Sequence, residues 1–408
     1  MRYILLVILL GTFSICFSQQ YLKDEVDTNS YKQVFLLNGI GQYSGNAIQN
    51  EMVNKLLLGG DITASSIQNS SDNHTEVNRF GFDASLQFQY QNFTHLIGKK
   101  KKYGFLVNLE SSFLGGMMYG KDMFQLVFDG NTNLENNSAD LSGTKFYSLG
   151  FQKIGLGFIS PKSKSSISLN YYNISNYIQA DVSTFGLEQS AGFSQIDVET
   201  QLEYNRTTVD RFDKGYGFGV DVDIRFPVQM QEGKSMTFQV LGKNLGFAQL
   251  YSNVETYTID TSYSYQGLTF NQLYGEGTIF TDDFEVLDTL GITPNNNKKS
   301  ILLPGFIQIA KMTEGQSENR LQSYFGVRIY NLKEYAPLMF IGAQYSLYEN
   351  YNVASHLTVG GFGRPRASVI LNAHFSKFNI GLSTNDIYGL VARKGLGKSL
   401  LIQMRCAI

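Results

Sequence analysis

Apolar and polar residues alternate along several stretches of this 408-residue chain. In residues 80–90 (FGFDASLQFQY), the apolar side chains stand at the even positions, and glycine or polar residues stand at the odd ones. Side chains alternate between the two faces of a β-strand, so this stretch predicts a strand with one apolar and one polar face. The same pattern returns in residues 216–226 and 400–408.

These stretches are long enough to cross a bilayer, because a transmembrane strand needs about 9–11 residues. A soluble sandwich turns its apolar face inward, whereas a membrane barrel turns it toward lipid. Repetition at nearly full spanning length favours an all-β fold, a transmembrane antiparallel β-barrel with polar side chains in its lumen. Closure of the barrel would remove the unpaired edges that long strands otherwise expose.

Short polar turns and long polar insertions alternate between the predicted strands. The turns include GKKKK at 98–102, PKSKS at 161–165 and QEGKS at 231–235, and the insertions are 118–142, 179–214 and 248–299. Barrels carry short turns on the periplasmic side and long loops outside. Strand direction then alternates correctly with about 14 strands if residues 194–204 form an extracellular excursion.

The N-terminal residues 1–18 predict a secretory signal peptide, with Arg2 before an apolar core and cleavage before Gln19. The alternative is a lipoprotein acylated on Cys16, which the size of Ile15 disfavours. Cleavage would leave Cys406 as the only cysteine, so no intrachain disulfide could form. We expect residues 19–52 to form an N-terminal strand or a plug segment, and residues 53–408 to form the barrel.

The composition fits this prediction without proving it. The mean hydropathy of −0.15 and the 17% of charged residues are ordinary for a soluble protein. A barrel gives the same average because alternation hides its lipid-facing side chains. The chain has 25 Tyr and no Trp, so tyrosine has to supply the amphipathic girdles at the membrane interfaces.

Several segments resemble a known family. They are the Ser-Gln-Gln that ends the signal region, GYGFGVDVDIRF at 215–226, FQVLGKNLGF at 238–247 and FNIGLSTNDIYGLV at 378–391. Together they resemble a Bacteroidota outer-membrane β-barrel family of unknown function, which is similar to FadL-like and PorV-like barrels. A FadL-like protein implies a plug and a hydrophobic ligand, and a PorV-like protein implies docking to secreted cargo. The resemblance brings no catalytic residue.

Charged residues at inward positions are the candidate functional residues. Alternation turns eight of them toward the lumen, namely Asp83, Glu110, Asp221, Asp223, Arg225, Lys243, Arg328 and Arg405. The opposite orientation would cost about 2–4 kcal/mol for Arg or Lys at the bilayer midplane. Two interpretations remain open, a constriction that selects solutes and a salt-bridged network that fills a narrow barrel. Both signs are present in similar number, which argues against strong ion selectivity.

The sequence predicts no catalytic, cofactor-binding or metal site, and we expect no cofactor. His356 and His374 face inward by alternation, and no GxSxG stretch is present. The acidic residues Asp282, Asp283, Glu285 and Asp288 lack the spacing of a calcium-binding EF-hand loop. We expect the GKKKK turn to discourage edge pairing or to meet lipid headgroups, rather than to bind nucleic acid.

Two functions follow from these expectations. The first is a non-enzymatic outer-membrane barrel that passes or binds a small solute, hydrophobic ligands included. The second is a binding or assembly barrel whose outer loops dock a secreted or surface protein. The expected partners are outer-membrane lipid, the barrel-assembly machinery and either the solute or the secreted protein, but no nucleic acid.

Overall fold

The structure is a computed structural model of the chain. It describes residues 31–98, 102–130, 134, 137–208, 212–229, 235–265, 293–313, 320–348, 350–375 and 377–408. Part of the predicted N-terminal segment and the acidic residues at 282–288 therefore lie outside the described residues. The division of the chain into residues 1–18, 19–52 and 53–408 stays a prediction.

Antiparallel strands make up most of the described chain, and they form one 17-stranded sheet. The strands are β1 Gln33–Gly45, β2 Asn78–Ile97, β3 Tyr103–Tyr119, β4 Ser138–Asp140, β5 Lys145–Ile159, β6 Ser166–Gln189, β7 Ile196–Thr207, β8 Gly215–Gln229, β9 Ser235–Tyr265, β10 Asn295–Leu302, β11 Phe306–Lys311, β12 Leu321–Tyr330, β13 Ala336–Tyr348, β14 Tyr351–Gly361, β15 Gly363–Phe375, β16 Phe378–Thr384 and β17 Gly397–Ala407. In the described part of the chain, four α-helices accompany them, namely α1 Asn50–Leu58, α2 Ala64–Ser71, α3 Lys121–Asp129 and α4 Ile387–Val391.

The sheet closes on itself through its first strand. One edge of β1 pairs with β17, from Val34 opposite Ala407 to Ser44 opposite Gly397. The other edge of β1 pairs with β2 over its whole length. Each later strand pairs with its neighbours in antiparallel register, so the predicted closed antiparallel β-barrel is confirmed.

Two positions in the ring are each filled by two strands lying end to end. β6 pairs first with β8 and then, further along, with β7. In the same way, β9 pairs with β11 over 238–243 and with β10 over 247–256. β4 is a three-residue strand that pairs with β6 beyond the end of β5. The number of ring positions is thus smaller than the number of strands, and the expected value of about 14 stays a prediction.

The outer surface of the ring is apolar, and much of its inner surface is polar. On β6, Leu169 is 70% exposed, whereas Ser168 and Asn170 on either side of it are 2% and 3% exposed. Large exposed apolar side chains recur on the outer face of other strands, for example Ile309, Ile341 and Leu357. This belt of outward aliphatic and aromatic side chains is the surface that a hydrocarbon environment requires.

The two ends of the ring differ in their connections. One end, called the long-loop end here, carries the connections 46–77, 120–144, 190–195, 266–294 and 385–396. The predicted insertions at this end are in part strand rather than loop, which corrects the sequence analysis. β6 continues to Gln189, β9 continues to Tyr265, and β7 lies between them. Their outer parts form a three-stranded extension, called the projecting sheet here.

The helices α1, α2 and α3 pack on the outer side of the wall at the long-loop end. Met52 of α1 and Phe124 of α3 form a buried cluster with Tyr119 of β3, and Ile67 of α2 packs against it. Tyr119 lies six residues after Phe113 on β3, so the two side chains point to the same face of the strand, and Phe113 is exposed on the outer face. Among the described residues, no helix is long and apolar enough to span a bilayer.

Candidate functional site

A cavity of about 230 Å³ lies in the lumen, between β1, β2 and β3 on one side and β8, β9, β12 and β15 on the other. All eight of the predicted inward charges line it, namely Asp83, Glu110, Asp221, Asp223, Arg225, Lys243, Arg328 and Arg405. The structure therefore places these eight residues around a single space. Their role in selecting a solute stays a prediction.

A buried ion cluster forms one wall of the cavity. Lys153 of β5 is the cation at its centre and has no exposed side-chain surface. Its Nζ lies 2.6 Å from Oε2 of Glu110 and 2.9 Å from Oδ2 of Asp221. The same Nζ donates to Oδ1 of Asn244 at 2.9 Å. One ammonium thus joins β8 and β9 by charge-assisted hydrogen bonds, which are the stronger kind, and joins β3 by an ion pair.

A bulge between β8 and β9 explains how these groups meet. Val220 pairs with Leu245 and Val222 pairs with Gly242, so the single residue Asp221 faces two residues of β9. Asn244, one of those two, has φ of 54°, a left-handed conformation that Asn tolerates better than most residues. Its backbone N–H donates to Oδ1 of Asp221 at 2.7 Å. The bulge therefore directs Asp221 and Asn244 together toward Lys153.

The remaining inward charges also have polar partners. Arg225 donates to Asp223, with Nη2 2.7 Å from Oδ2. Arg328 donates from Nε and Nη2 to Oε1 of Gln308 at 3.0 and 2.6 Å. Nζ of Lys243 lies 3.8 Å from Oε2 of Glu110. Many inward charges thus belong to a network across strands, and they also line the cavity.

Two turns at the long-loop end reach into the lumen above the cavity. Phe362, between β14 and β15, packs on Gly116 of β3, where an added Cβ would lie 2.6 Å from Cε1 of the ring. Tyr335, after the turn between β12 and β13, meets Phe362 edge to face with ring centroids 5.0 Å apart. Phe362 and Tyr335 both line the cavity. These two aromatic side chains narrow the cavity at the long-loop end. The four residues of the two turns that reach inward, Leu332, Glu334, Tyr335 and Phe362, are called the inward turns.

The lumen also holds an apolar cluster, which corrects the expectation of a uniformly polar interior. Its buried members come from β5, β6, β9 and β10 and from Leu303 just beyond β10, and Leu332 of the inward turns packs against them. Phe151 and Tyr172 are fully buried there, with ring centroids 5.4 Å apart. Inward apolar side chains are stable in this half because they contact each other and the turn instead of water.

Sequence reasoning missed Lys153 and Phe362, for different reasons. Lys153 stands in FQKIGLGFI, where alternation puts Ile154, Leu156 and Phe158 outside and therefore puts Lys153 inside. The signal was present in the pattern. Phe362 stands in a turn between two strands, where period-2 alternation gives no orientation. Only the closed ring brings it opposite Gly81 and Gly116.

The inward histidines take part in local hydrogen bonds. Nδ1 of His356 lies 3.0 Å from Oη of Tyr324. His374 contacts the side-chain amides of Asn352 and Asn379 at 3.1 and 2.9 Å. Among the described residues, no three His, Cys, Asp or Glu side chains are grouped so that they could hold a metal ion.

Comparisons with known proteins give no family for this chain. No protein-family model matches it. No curated protein matches it either.

Solved structures give weak likenesses. The translocator domain of autotransporter NalP from Neisseria meningitidis is 7% identical, with 92% of this chain and 88% of that chain covered and a TM-score of 0.26. The Pseudomonas putida toluene transporter TodX is 7% identical, with 97% and 94% covered and a TM-score of 0.24. The CymD monoaromatic hydrocarbon channel is 8% identical, with 92% and 87% covered and a TM-score of 0.27. At these TM-scores none bears on function, and the fold is established by the strand pairing itself.

Proposed function

We propose that this protein is a non-enzymatic outer-membrane barrel that binds and passes a small solute through its lumen. The observation that carries the proposal is the central cavity, lined by charged side chains of both signs inside a closed ring with an apolar exterior. Closed barrels with this exterior are the form in which β-strands cross membranes, because all backbone hydrogen bonds are satisfied within the ring. The predicted signal peptide supports export to the outer membrane.

The cavity favours a polar or zwitterionic solute over a hydrophobic one. Asp83 on β2 lies on the opposite side of this space from Lys243 on β9 and Arg328 on β12, so a solute with both charges could be held at each end. The apolar part of the lumen is closely packed instead, with Phe151, Tyr172 and Leu250 fully buried among themselves. A bound apolar solute would displace water from the charged side chains of the cavity and offer them no polar partner in return, which would cost free energy.

The test is single-channel conductance of the refolded protein in a planar bilayer. The intact chain is compared with a chain that lacks residues 19–30, because β1 completes the ring and has to be kept. We expect solute-sensitive conductance in at least one of the two forms. We also expect Asp83→Asn and Lys243→Gln to shift the reversal potential in opposite directions. Silence in both forms, with no solute that protects the barrel from unfolding, would contradict the proposal.

A docking function for a secreted or surface protein is the second candidate, as a PorV-like resemblance implies. The projecting sheet favours it, because Tyr263 on β9 is half exposed there beyond the parts of the wall that carry the apolar belt. A photo-crosslinking residue at position 263 should then capture one protein partner in whole cells. The same crosslinker at Leu169, which lies in the belt, is the control and should capture no soluble partner.

A further inference from the structure

Hydrogen bonds join the helices α1 and α4 to each other at the long-loop end of β17 and β1. Nδ2 of Asn50, at the start of α1, donates to the carbonyl oxygen of Gly389 at 2.7 Å and to that of Gly397 at 3.1 Å. The backbone N–H of Asn50 donates to the carbonyl oxygen of Gly395 at 2.7 Å. Asn50 is fully buried, so these bonds form a dry joint between the two helices.

The first helix of this pair, α1, lies on the outer side of the wall, and the hydrogen bonds of Asn50 hold α4 beside it. Oη of Tyr43 on β1 is hydrogen-bonded to Oδ1 of Asn54 on α1 at 3.2 Å. The neighbours of Tyr43 in the strand, Gln42 and Ser44, line the lumen, so Tyr43 points outward. Its register partner on β17 is Lys398, which therefore stands on the same outer face. The joint is continuous with the apolar belt at its long-loop border.

Both helices leave apolar side chains uncovered. Leu56, Leu57 and Leu58 at the end of α1 are 53%, 65% and 84% exposed. Tyr388 and Val391 of α4 are 63% and 80% exposed. Single exposed apolar residues are normal, but these two helices carry seven, Ile387 and Leu390 included, which indicates an interaction surface. The surface formed by Leu56, Leu57, Leu58, Tyr388, Leu390 and Val391 is called the ledge.

Basic residues accompany the ledge. Residues 50–58 and 386–398 contain four of them, Lys55, Arg393, Lys394 and Lys398, against the two acids Glu51 and Asp386. Asp386 caps the start of α4, where its Oδ1 accepts a hydrogen bond from the backbone N–H of Gly389 at 2.7 Å. Oε1 of Glu51 lies 3.8 Å from Nζ of Lys55 on the same helix. Arg393 and Lys394 are exposed, which leaves the loop after α4 with a net positive charge.

We propose that the ledge is a binding surface for phosphate-bearing membrane lipid at the long-loop end of the barrel. The leucines and Val391 enter the acyl region, and Arg393, Lys394 and Lys398 contact the headgroup phosphate. Apolar side chains with basic neighbours bind anionic lipid in this way, by buried apolar area and electrostatic attraction together. The continuity with the belt, through Tyr43 and Lys398, places the ledge at the depth of the headgroups. This inference does not depend on what passes the lumen.

The chain has no tryptophan, so one introduced tryptophan gives a clean probe. The full-length protein carrying Leu57→Trp would be reconstituted in vesicles of brominated phosphatidylcholine, and quenching of its fluorescence measured. Leu169→Trp in the belt is the positive reference, and Tyr263→Trp on the projecting sheet is the negative one. We expect Leu57→Trp to be quenched like the belt reference. Quenching as weak as that of the projecting-sheet reference would overturn the proposal.

The headgroup preference needs a second comparison. With brominated phosphatidylglycerol as the probe in a mixed bilayer, we expect about two-fold more quenching of Leu57→Trp than with brominated phosphatidylcholine. Adding Lys55→Gln, Arg393→Gln, Lys394→Gln and Lys398→Gln should remove this difference and leave quenching by phosphatidylcholine unchanged. The matched control instead adds Lys102→Gln, Lys162→Gln, Arg320→Gln and Lys377→Gln, four exposed residues in the short turns at the other end of the ring, and should keep the difference.

Two results would contradict the role of the basic residues. One is an equal preference for phosphatidylglycerol in the fourfold variant and in the control. The other is the absence of any preference in the parent protein. Folding is checked by the heat-dependent gel mobility of the barrel. If the fourfold variant does not fold, Arg393→Gln with Lys394→Gln is used, because both side chains are exposed and this pair should then lose about half of the difference.

Discussion

The ring of Phe362 lies in the space that a Cβ on Gly81 would occupy. Gly81 of β2 is the register partner of Gly116 on β3, which contacts the same ring. An aromatic side chain from the turn between β14 and β15 therefore rests on bare backbone of distant strands in the ring. Glycine at both positions permits this close approach, because any side chain there would displace the ring.

Phe362→Ala should widen the long-loop side of the cavity and raise the single-channel conductance. The reason is that the ring bridges the lumen and its removal leaves the two glycines uncovered. The loss in the free energy of unfolding should be below the about 3–5 kcal/mol of a fully buried Phe→Ala change, since Phe362 is only partly buried. Phe113→Ala, on the outer face, is the control. Equal conductance of both variants would show that Phe362 does not restrict the lumen.

Lys153→Met should destabilise the barrel strongly. It leaves Glu110 and Asp221 without the ammonium that lies 2.6 and 2.9 Å from them. Breaking a buried ion pair in this way costs about 3–5 kcal/mol. Urea unfolding in lipid vesicles measures this loss in the free energy of unfolding. Lys162→Met, in the exposed turn after β5, is the control.

The ion cluster makes a second, opposite prediction. Lys153→Met combined with Glu110→Gln and Asp221→Asn should recover much of the lost stability, because neither carboxylate is then left charged and buried without the ammonium. A triple variant as unstable as Lys153→Met alone would mean that packing of the lysine stem, and not its charge, stabilises this wall.

The helices outside the wall should loosen in acid because of His74, which follows α2 and lies outside the spanning strands. Burial lowers the pKa of His74 below its ordinary value of 6.5. The neutral ring donates from Nδ1 to the carbonyl of Ser70 and accepts from Oη of Tyr119, at 2.8 and 3.1 Å. The unfolded state therefore binds the proton first, so stability falls as pH drops through 6.5 toward the folded pKa.

Hydrogen exchange of residues 64–74 at pH 7.5 and pH 5 measures this effect. We expect smaller protection factors, which correct for the slower intrinsic exchange in acid, at pH 5 than at pH 7.5 in the parent protein. The difference should be smaller in His74→Gln, which cannot titrate. A pH difference that persists unchanged in His74→Gln would assign the effect to another group.

Asn50→Ala should detach α1 from α4. The substitution leaves the carbonyl oxygens of Gly389 and Gly397 without the Nδ2 donor, at a cost of about 1–3 kcal/mol for buried groups. Exchange of the amides in residues 387–397 should accelerate. Asn54→Ala removes a single side-chain bond, to Tyr43, and should have a smaller effect. Equal exchange in Asn50→Ala and the parent protein would contradict the joint.

The sequence predicted the closed antiparallel barrel because lipid on one side and polar lumen on the other impose alternation on each strand. Residues such as Leu169 and Ser168 carry that signal locally. The eight inward charges follow from the same rule and do line one space. Local alternation predicts which face a residue occupies and needs no knowledge of the partner strand.

The features that could not be predicted from the sequence depend on contacts between strands that meet only when the ring closes. Phe362 meets Gly81 only after closure, and Leu332 inserts into an apolar cluster built from four strands. The projecting sheet was predicted as loop because the alternation weakens there. Thr200, Gln201 and Glu203 are polar in sequence, yet they pair with β6 and β9. Backbone pairing can continue where neither face meets lipid.

β9 is one strand of 31 residues from Ser235 to Tyr265, with a bulge at residues 243–244. At about 3.3 Å per residue it is about 100 Å long, whereas a tilted strand needs only about 9–11 residues to cross hydrocarbon. The wall and the projecting sheet therefore share a single backbone. A pull on the outer end of the sheet would load the hydrogen bonds of β9 in shear along its length. The force would reach the wall of the barrel without passing through a flexible hinge.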